Sequence, residues 1–482
     1  MALRRTDTES LSPSTAKPRT VHTGTALGIL SLAAFMASLD LFIVNVAFTR
    51  ISAAFDHAPL SQVSWVLNAY AIIFAALLVP LGRLVDRHDR KAGFLTGVAV
   101  FTGASLGCAV SASLWMLIAF RLLQAAGAAM LTPASLGLLL SVFPPERRAG
   151  AVRTWASTGA LAAAVGPVVG GLLTTASWRW VFLVNLPVGA LLIALAARVL
   201  PASHDERGER VPDVVGTVLL TAGIGLVALG LVQANAWSVP RSTLVLAAGV
   251  LACGAFWLRS LRHENPLVEP ALMRVRSFAW ANLTALVFSI AFAANLLAAI
   301  LWMQQVWHYS ALRTGLGLVP GPLVVPFATA VGGRLAKRVP PSRLAAIGCV
   351  ILAASVLSQG LLLDRTPDYA TELLPGWFIG GIGVGLALPF MLGLATATLP
   401  PPRFATGSAI VNMSRQVGAV LGVSLFVALI GVPTTYSDTH TAFMKVWYAI
   451  VLCMGVSAVT ALGMAPPRSV PAEQPAAPAR AE

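Results

Sequence analysis

Residues 25–49 read TALGILSLAAFMASLDLFIVNVAFT, an uninterrupted apolar run that carries one charge, Asp40. At 1.5 Å per residue a helix of that length reaches about 37 Å, more than the ~30 Å of hydrocarbon in a bilayer. The run is apolar on every side, as a membrane span is. Thirteen further runs follow it, near 62–82, 92–111, 114–141, 149–175, 178–199, 212–234, 241–261, 278–303, 314–335, 343–363, 372–397, 405–431 and 442–463. Gly and Pro interrupt the pattern near 315–326 and 375–389. The runs are continuous rather than alternating, which predicts helices and excludes a barrel. An all-α polytopic membrane protein with 14 spans is expected.

Composition agrees. Charged residues are 11% of the 482 and apolar ones 57%, where a soluble domain carries roughly 25% charge. Too few charges are present to coat a water-facing surface, so a soluble enzyme, a disordered chain and a coiled coil are excluded. The net charge of +14 would point to nucleic acid in a soluble protein. Here the cations sit in short patches between apolar runs, and the expected partner is an anionic membrane leaflet, with no nucleic acid. Cys108, Cys253, Cys349 and Cys453 fall in four different runs with no close pair and no His nearby. Neither a disulfide nor a metal site is expected.

An even number of spans puts both ends of the chain on one side of the membrane. Cations decide which. The 2/3 loop holds Arg83, Arg87, Arg90 and Lys91, the 8/9 loop Arg259, Arg262, Arg274 and Arg276, and the 10/11 loop Arg334, Lys337, Arg338 and Arg343. With the first tail, the 4/5, 6/7 and 12/13 loops and the last tail, that side collects 25 cations. The other side has six, Arg50, Arg179, Arg241, Arg313, Arg365 and Lys445. The bias predicts both termini in the cytoplasm and a multi-pass protein of a bacterial-type cytoplasmic membrane. Residues 1–24 read as a cytoplasmic tail without a cleavable leader, and 464–482 as a Pro/Ala tail. A weak echo, GRLVDR at 82–87 and GRLAKR at 333–338, suggests duplication. The expected division is a six-helix bundle over 25–200, two additional helices over 201–265, and a second six-helix bundle over 266–463.

No loop is long enough to be a domain, so function lies within the spans. Charge there is expensive and by default functional. Three cases stand out: Asp40, Arg121 in LIAFRLLQAAGAA, and Arg415 in NMSRQVGAVLG. Asp40 shares a helix face with Ala33, Ala37, Val44 and Ala47, and is the candidate proton carrier; the plainer alternative is a static ion pair with Arg121. Arg121 stays charged and can hold or release a nearby acid, or serve as a structural hub. Arg415 is open to a structural or a substrate-contacting role. Asn45, Gln124, Asn412 and Gln416, near these charges in sequence, either join helices or touch a ligand. Candidate contacts in the substrate cavity also include Trp65, Tyr70, Phe292, Asn295 and Trp302, against the alternatives of core packing or interfacial anchoring. The small residues of 159–171, with Gly159, Gly166, Gly170 and Gly171 and a kink at Pro167, predict close helix packing. In the 2/3 loop, Asp86 among Arg83, Arg87 and Arg90, beside Gly82, can latch neighbouring helices or act as a topology signal alone.

Together these segments resemble the major facilitator superfamily, in particular its fourteen-span drug:proton antiporter branch. LDLFIVNVAF resembles that branch's span-1 motif, with Asp40 and Asn45. GRLVDRHDRK is similar to the 2/3-loop motif, RLLQAAGAA to the span-4 motif with Arg121, Gln124 and Gly127, and GPVVGG to the antiporter motif of span 5. WRWVFLVNLP (178–187) and SAIVNMSRQVGAVLG (408–422) also look like this branch. Asp89 stands where the loop motif usually has Gly, and Ala125 where the span-4 motif does. The resemblance implies two rocking six-helix bundles around a central cavity. It implies export of hydrophobic or amphipathic drugs driven by the proton gradient, with no cofactor and no catalytic residue. The cavity is expected among spans 1, 2, 4, 5, 9 and 13, in a monomer. The Asp86, Arg87 and Arg90 latch would close the cytoplasmic side. With one carboxylate in the spans, neutral or weakly charged compounds are the expected cargo. An exporter of one self-made metabolite and an uptake symporter are the alternatives within this fold. A membrane enzyme or proton-translocating respiratory subunit would call for redox ligands or a chain of intramembrane Lys, Glu and His, none of which the sequence offers.

Overall fold

The computed structural model describes residues 23–201, 213–397, 399 and 403–464. Most of both expected tails, with their cations, and Arg207 and Arg210 of the 6/7 loop lie outside the described residues. Fourteen helices are long and apolar enough to cross a membrane, and no strand occurs among the described residues. Numbered as spans 1–14, they are Thr23–Val46, Leu60–Arg87, Arg90–Ala109, Leu114–Val142, Pro145–Ala176, Trp180–Val199, Val214–Val232, Val239–Arg262, Arg276–Val306, Ala311–Leu335, Pro341–Leu362, Tyr369–Ala397, Thr406–Ile430 and Tyr436–Leu462.

Local sequence explains most ends. Asp89 caps span 3, its carboxylate accepting from Lys91 N at 2.9 Å, so the acid in place of the motif's glycine starts a helix. Ser113 caps span 4 and Ser310 span 10, and Thr435 with Asp438 forms a capping box on span 14. The Gly/Pro interruption in span 10 is a break at Val319, where the helix restarts on Pro320. That in span 12 is no break: the helix Leu374–Ala397 passes through Pro389. Span 9 runs past its expected end through a π turn, Trp302–Val306.

Glycines set the packing, and they do so in a repeated way. Gly97 of span 3 and Gly127 of span 4 each face the other's carbonyl. A Cβ at Gly97 would lie 3.0 Å from Gly127 O, and one at Gly127 would lie 2.9 Å from Gly97 O. Spans 11 and 12 cross in the same way at Gly348 and Gly383, and spans 7 and 8 at Gly223 and Gly249. Spans 5 and 1 meet where Gly166 and Gly170 abut Phe42 and Ile43; spans 13 and 9 meet where Gly418 and Gly422 abut Leu286 and Ile290. Backbones therefore approach without side chains between them, the usual device where lipid offers no hydrophobic drive. Spans 1–6 and spans 9–14 thus reuse one packing scheme.

Spans 7 and 8 pack on each other, and span 7 also touches spans 2 and 13. Asp213, just before span 7, accepts from Gly216 N at 2.9 Å and pairs with Arg259 of span 8 at 2.9 Å. Contacts between the two six-span groups gather at the 1/2-loop end. Thr49 Oγ1 donates to Gln304 Oε1 at 2.7 Å, and Gln304 Nε2 to Val46 O at 3.1 Å. Asn68 Nδ2 donates to Ser424 Oγ at 3.1 Å. Gly171 lies against Ala311 and Leu312, and Gly315 against Pro167. At the 2/3-loop end, Arg83 Nη1 reaches Pro266 O at 3.2 Å.

Candidate functional site

Asp40 of span 1 is fully enclosed; spans 4 and 6 bond it directly, and spans 2 and 3 hold its partners. It stands six residues before the end of span 1, roughly 9 Å below that end. Arg121 of span 4 donates through Nη1 to Asp40 Oδ2 at 2.5 Å. Gln124, one turn on, donates from Nε2 to Asp40 Oδ1 at 2.9 Å and to Ser105 Oγ of span 3 at 2.8 Å. Asn185 of span 6 adds Nδ2 contacts to Asp40 Oδ1 and Ser105 Oγ, both 3.3 Å. Arg121 also donates to Gln124 Oε1 at 2.7 Å and to Val66 O of span 2 at 3.0 Å. Its guanidinium lies over the Tyr70 ring, 4.1 Å from the centroid. All six side chains, Asp40, Tyr70, Ser105, Arg121, Gln124 and Asn185, are buried.

An ion pair removed from water carries a desolvation penalty of several kcal/mol per ion, which Coulomb attraction offsets only when further hydrogen bonds complete both groups. Here they do so: the carboxylate has three donors and the guanidinium three acceptors. The arrangement can hold a negative charge sealed from both membrane faces. It can also release Arg121 if a proton neutralises Asp40, because the cation then loses its partner in a low-dielectric site.

The other expected site residues are distributed as follows. Asn45 bonds back to Leu41 O at 2.7 Å. Trp65 is half-buried at the start of span 2, while Trp302 is enclosed among Phe443, Trp447 and His440. Phe292 stacks on Phe288, and Asn295 is buried with its Oδ1 unpartnered. Arg415 Nη1 donates to Asn412 Oδ1 at 3.3 Å, with half-buried Gln416 beside them. Gly159 faces Ser38 at an ordinary 3.7 Å, whereas Gly166 and Gly170 press on span 1 and Pro167 and Gly171 on span 10. In the 2/3 loop, Gly82 packs on Pro133 and Arg90 Nε donates to Asp86 Oδ1 at 2.5 Å, beside Gly137 of span 4. Arg87 is exposed. Gln124 and Tyr70, expected to line a cavity, take part in the buried cluster around Asp40.

Two members of that cluster were missed in the sequence. Asn185 stands in WRWVFLVNLP, a motif quoted for its resemblance but not read for chemistry. Ser105 carries no signal: a serine within a span ordinarily bonds its own helix, as this one does to Phe101 O at 2.8 Å.

The chain is 32% identical over 419 residues to the Multidrug resistance protein B homolog of Mycobacterium tuberculosis, covering 86% of this chain and 76% of that protein. It is 35% identical over 439 residues to the Cephamycin export protein CmcT of Amycolatopsis lactamdurans, covering 88% and 89%. It is 31% identical over 410 residues to the Methylenomycin A resistance protein of Streptomyces coelicolor, covering 84% and 85%. Among solved structures, a D-xylose–proton symporter superposes with a TM-score of 0.67 at 12% identity, over 92% of this chain and 98% of that one. A POT family transporter gives 0.66 at 14% identity, over 90% and 95%. The sequence profile of the Major Facilitator Superfamily matches residues 30–423, and the chain belongs to that superfamily.

Proposed function

We propose that this protein exports amphipathic drug- or antibiotic-like compounds across the cytoplasmic membrane by alternating access, driven by inward movement of protons. The observation that carries the reading is the sealed cluster of Asp40, Arg121, Gln124 and Asn185. It is an intramembrane carboxylate whose charge state decides whether a neighbouring cation is paired. Protonation of Asp40 from outside frees Arg121 and loosens spans 1, 4 and 6, and deprotonation toward the cytoplasm restores them. The names of the three relatives, two for resistance and one for export, favour export over uptake.

The same reading places both termini and the 2/3 loop in the cytoplasm, by the cation bias. It takes 25–200 and 266–463 as the moving bundles, with 201–265 inserted, and the monomer as the working unit. The Asp86–Arg90 pair over Gly137 then stabilises the state closed on the cytoplasmic side. The test uses inverted vesicles in which an imposed proton gradient is followed while antibiotics and lipophilic dyes are added. Compound-dependent proton release in wild type, absent in a folded Asp40→Asn variant, is expected. Equal release in both removes Asp40 from the coupling, and none in either removes the antiport reading.

A further inference from the structure

Of the three charges well inside the spans, Asp40 is paired with Arg121, which leaves Arg415. Among the described residues, carboxylates pair with Arg90, Arg121, Arg259 and Arg403, and none lies within ion-pair distance of Arg415. Its Nη1 reaches Asn412 Oδ1 of its own helix at a long 3.3 Å, and its Nε is enclosed without a partner. A guanidinium has five N–H donors in a rigid fork, so most of its capacity is unused. An unpaired cation at such depth is unfavourable, and its place asks for a countercharge.

The helix geometry shows where that countercharge would come from. Span 13 turns Ser414, Gly418 and Gly422 to span 9, and Ser424 to span 2. Ser408, Asn412, Arg415, Gln416 and Ala419 share the remaining face at three- and four-residue steps, and all are half-buried. Toward the 13/14 loop the same face is buried, at Val423, Phe426 and Ile430. There Phe426 packs on Phe443 of span 14, so the polar stripe ends against a packed apolar layer at the 1/2-loop end. Arg415 stands eleven residues into the helix Phe404–Ile430, roughly 17 Å from its start and near mid-depth.

We propose that Arg415, with Asn412 and Gln416, is an anion seat in the substrate cavity, and that the exported compound is an amphipathic organic acid held by its carboxylate. This inference rests on the export reading above and narrows its cargo from neutral or weakly charged compounds to acids. A planar carboxylate matches the guanidinium fork with two parallel hydrogen bonds, and Asn412 and Gln416 supply further polar contacts.

The test measures binding to the purified full chain in zwitterionic-lipid nanodiscs, where no lipid anion competes. Probes are two matched trios: anthracene-9-carboxylate, its methyl ester and 9-(aminomethyl)anthracene, and the corresponding 2-naphthyl compounds. The acid is expected to bind about tenfold or more tighter than its ester and amine. In Arg415→Gln the acid-over-ester ratio is expected to fall to about twofold or less, with Arg415→Lys in between, since a point charge replaces the fork. Unchanged thermal melting of both variants separates this from misfolding. Ester or amine binding as tightly as acid, a preference that survives Arg415→Gln, or no binding of any probe overturns the proposal. Failure of the export reading looks different: proton release by esters or amines but not acids leaves export intact and removes only the anion seat. Absence of compound-dependent proton release by any compound in wild type removes export itself.

Discussion

Replacing Gly171 by Ala tests what closes the 1/2-loop end. A Cβ built there lies 2.6 Å from Ala311 O and 2.7 Å from Leu312 Cα, where ordinary contact begins at 3.4 Å. Both neighbours are backbone atoms of span 10, so no side chain can swing aside, and spans 5 and 10 must separate by about 0.8 Å at this level. Overpacking of this kind costs roughly 1–3 kcal/mol, and backbone opposition puts it near the upper end, about 2–3 kcal/mol. The penalty falls on the conformation in which the two six-span groups touch here and not on one in which they part. The ratio of closed to open at this end should therefore drop roughly 30- to 150-fold. Spin labels on the exposed loops of the two groups, Asp56→Cys and Pro367→Cys with the four native cysteines replaced by Ala, report the distance directly. The expected result is a new longer-distance population in Gly171→Ala and none in Gly103→Ala, where a Cβ meets nothing within 4 Å. An unchanged distribution in folded Gly171→Ala protein would falsify the assignment of this contact as the closure.

Other perturbations have equally definite outcomes. Asp40→Asn leaves Arg121 unpaired, and each orientation of the new amide sets a donor against Arg121 or against Gln124 and Asn185. A loss of about 3–5 kcal/mol is expected; the double variant Asp40→Asn/Arg121→Gln should melt above the sum of the single losses, and additive melting would count against the pair. Asp213→Ala removes a cap and a partner of Arg259, which is a third exposed, so screening reduces the expected loss to about 2 kcal/mol; equal melting of wild type and variant would contradict it. Asp364, in the 11/12 loop, accepts from Arg365 N and the Tyr436 hydroxyl, which hold its carboxyl below the usual carboxylate range. A depressed folded pKa means that this contribution is present above the ordinary carboxylate value and is lost as pH falls through the folded one. Tyr436→Phe should raise the Asp364 pKa, read by carboxyl-carbon NMR, and an unmoved titration would exclude the hydrogen bond.

The number and placement of spans were legible because the bilayer imposes a requirement on each run by itself: length and apolarity suffice. Interruptions were harder to read. Pro320 follows a helix break and Pro389 does not, because a proline in a span is tolerated wherever neighbours accommodate it. Asp40, Arg121 and Gln124 stood out as polar groups in apolar surroundings, and the structure brings them together. Their fellows did not stand out: Ser105 looks like any helical serine, and Asn185 sits near the start of a span, where polarity is common. Contacts such as Asn68 with Ser424 and Thr49 with Gln304 join residues hundreds of positions apart, and no local pattern encodes them. The unsatisfied guanidinium of Arg415 became visible only once its neighbours were known to include no acid.

The reciprocal glycines of spans 3 and 4, 7 and 8, and 11 and 12 bear on how the molecule is made. Each pair joins consecutive helices across a short loop, so its contact closes within one hairpin and needs nothing from the rest of the chain. Such a hairpin can lock as soon as its second helix has entered the bilayer, while partners synthesised later are still absent. Mass added at Gly97, Gly223 or Gly348 would accordingly be felt during biogenesis, as lower yield and faster turnover of the nascent protein, before any transport cycle begins.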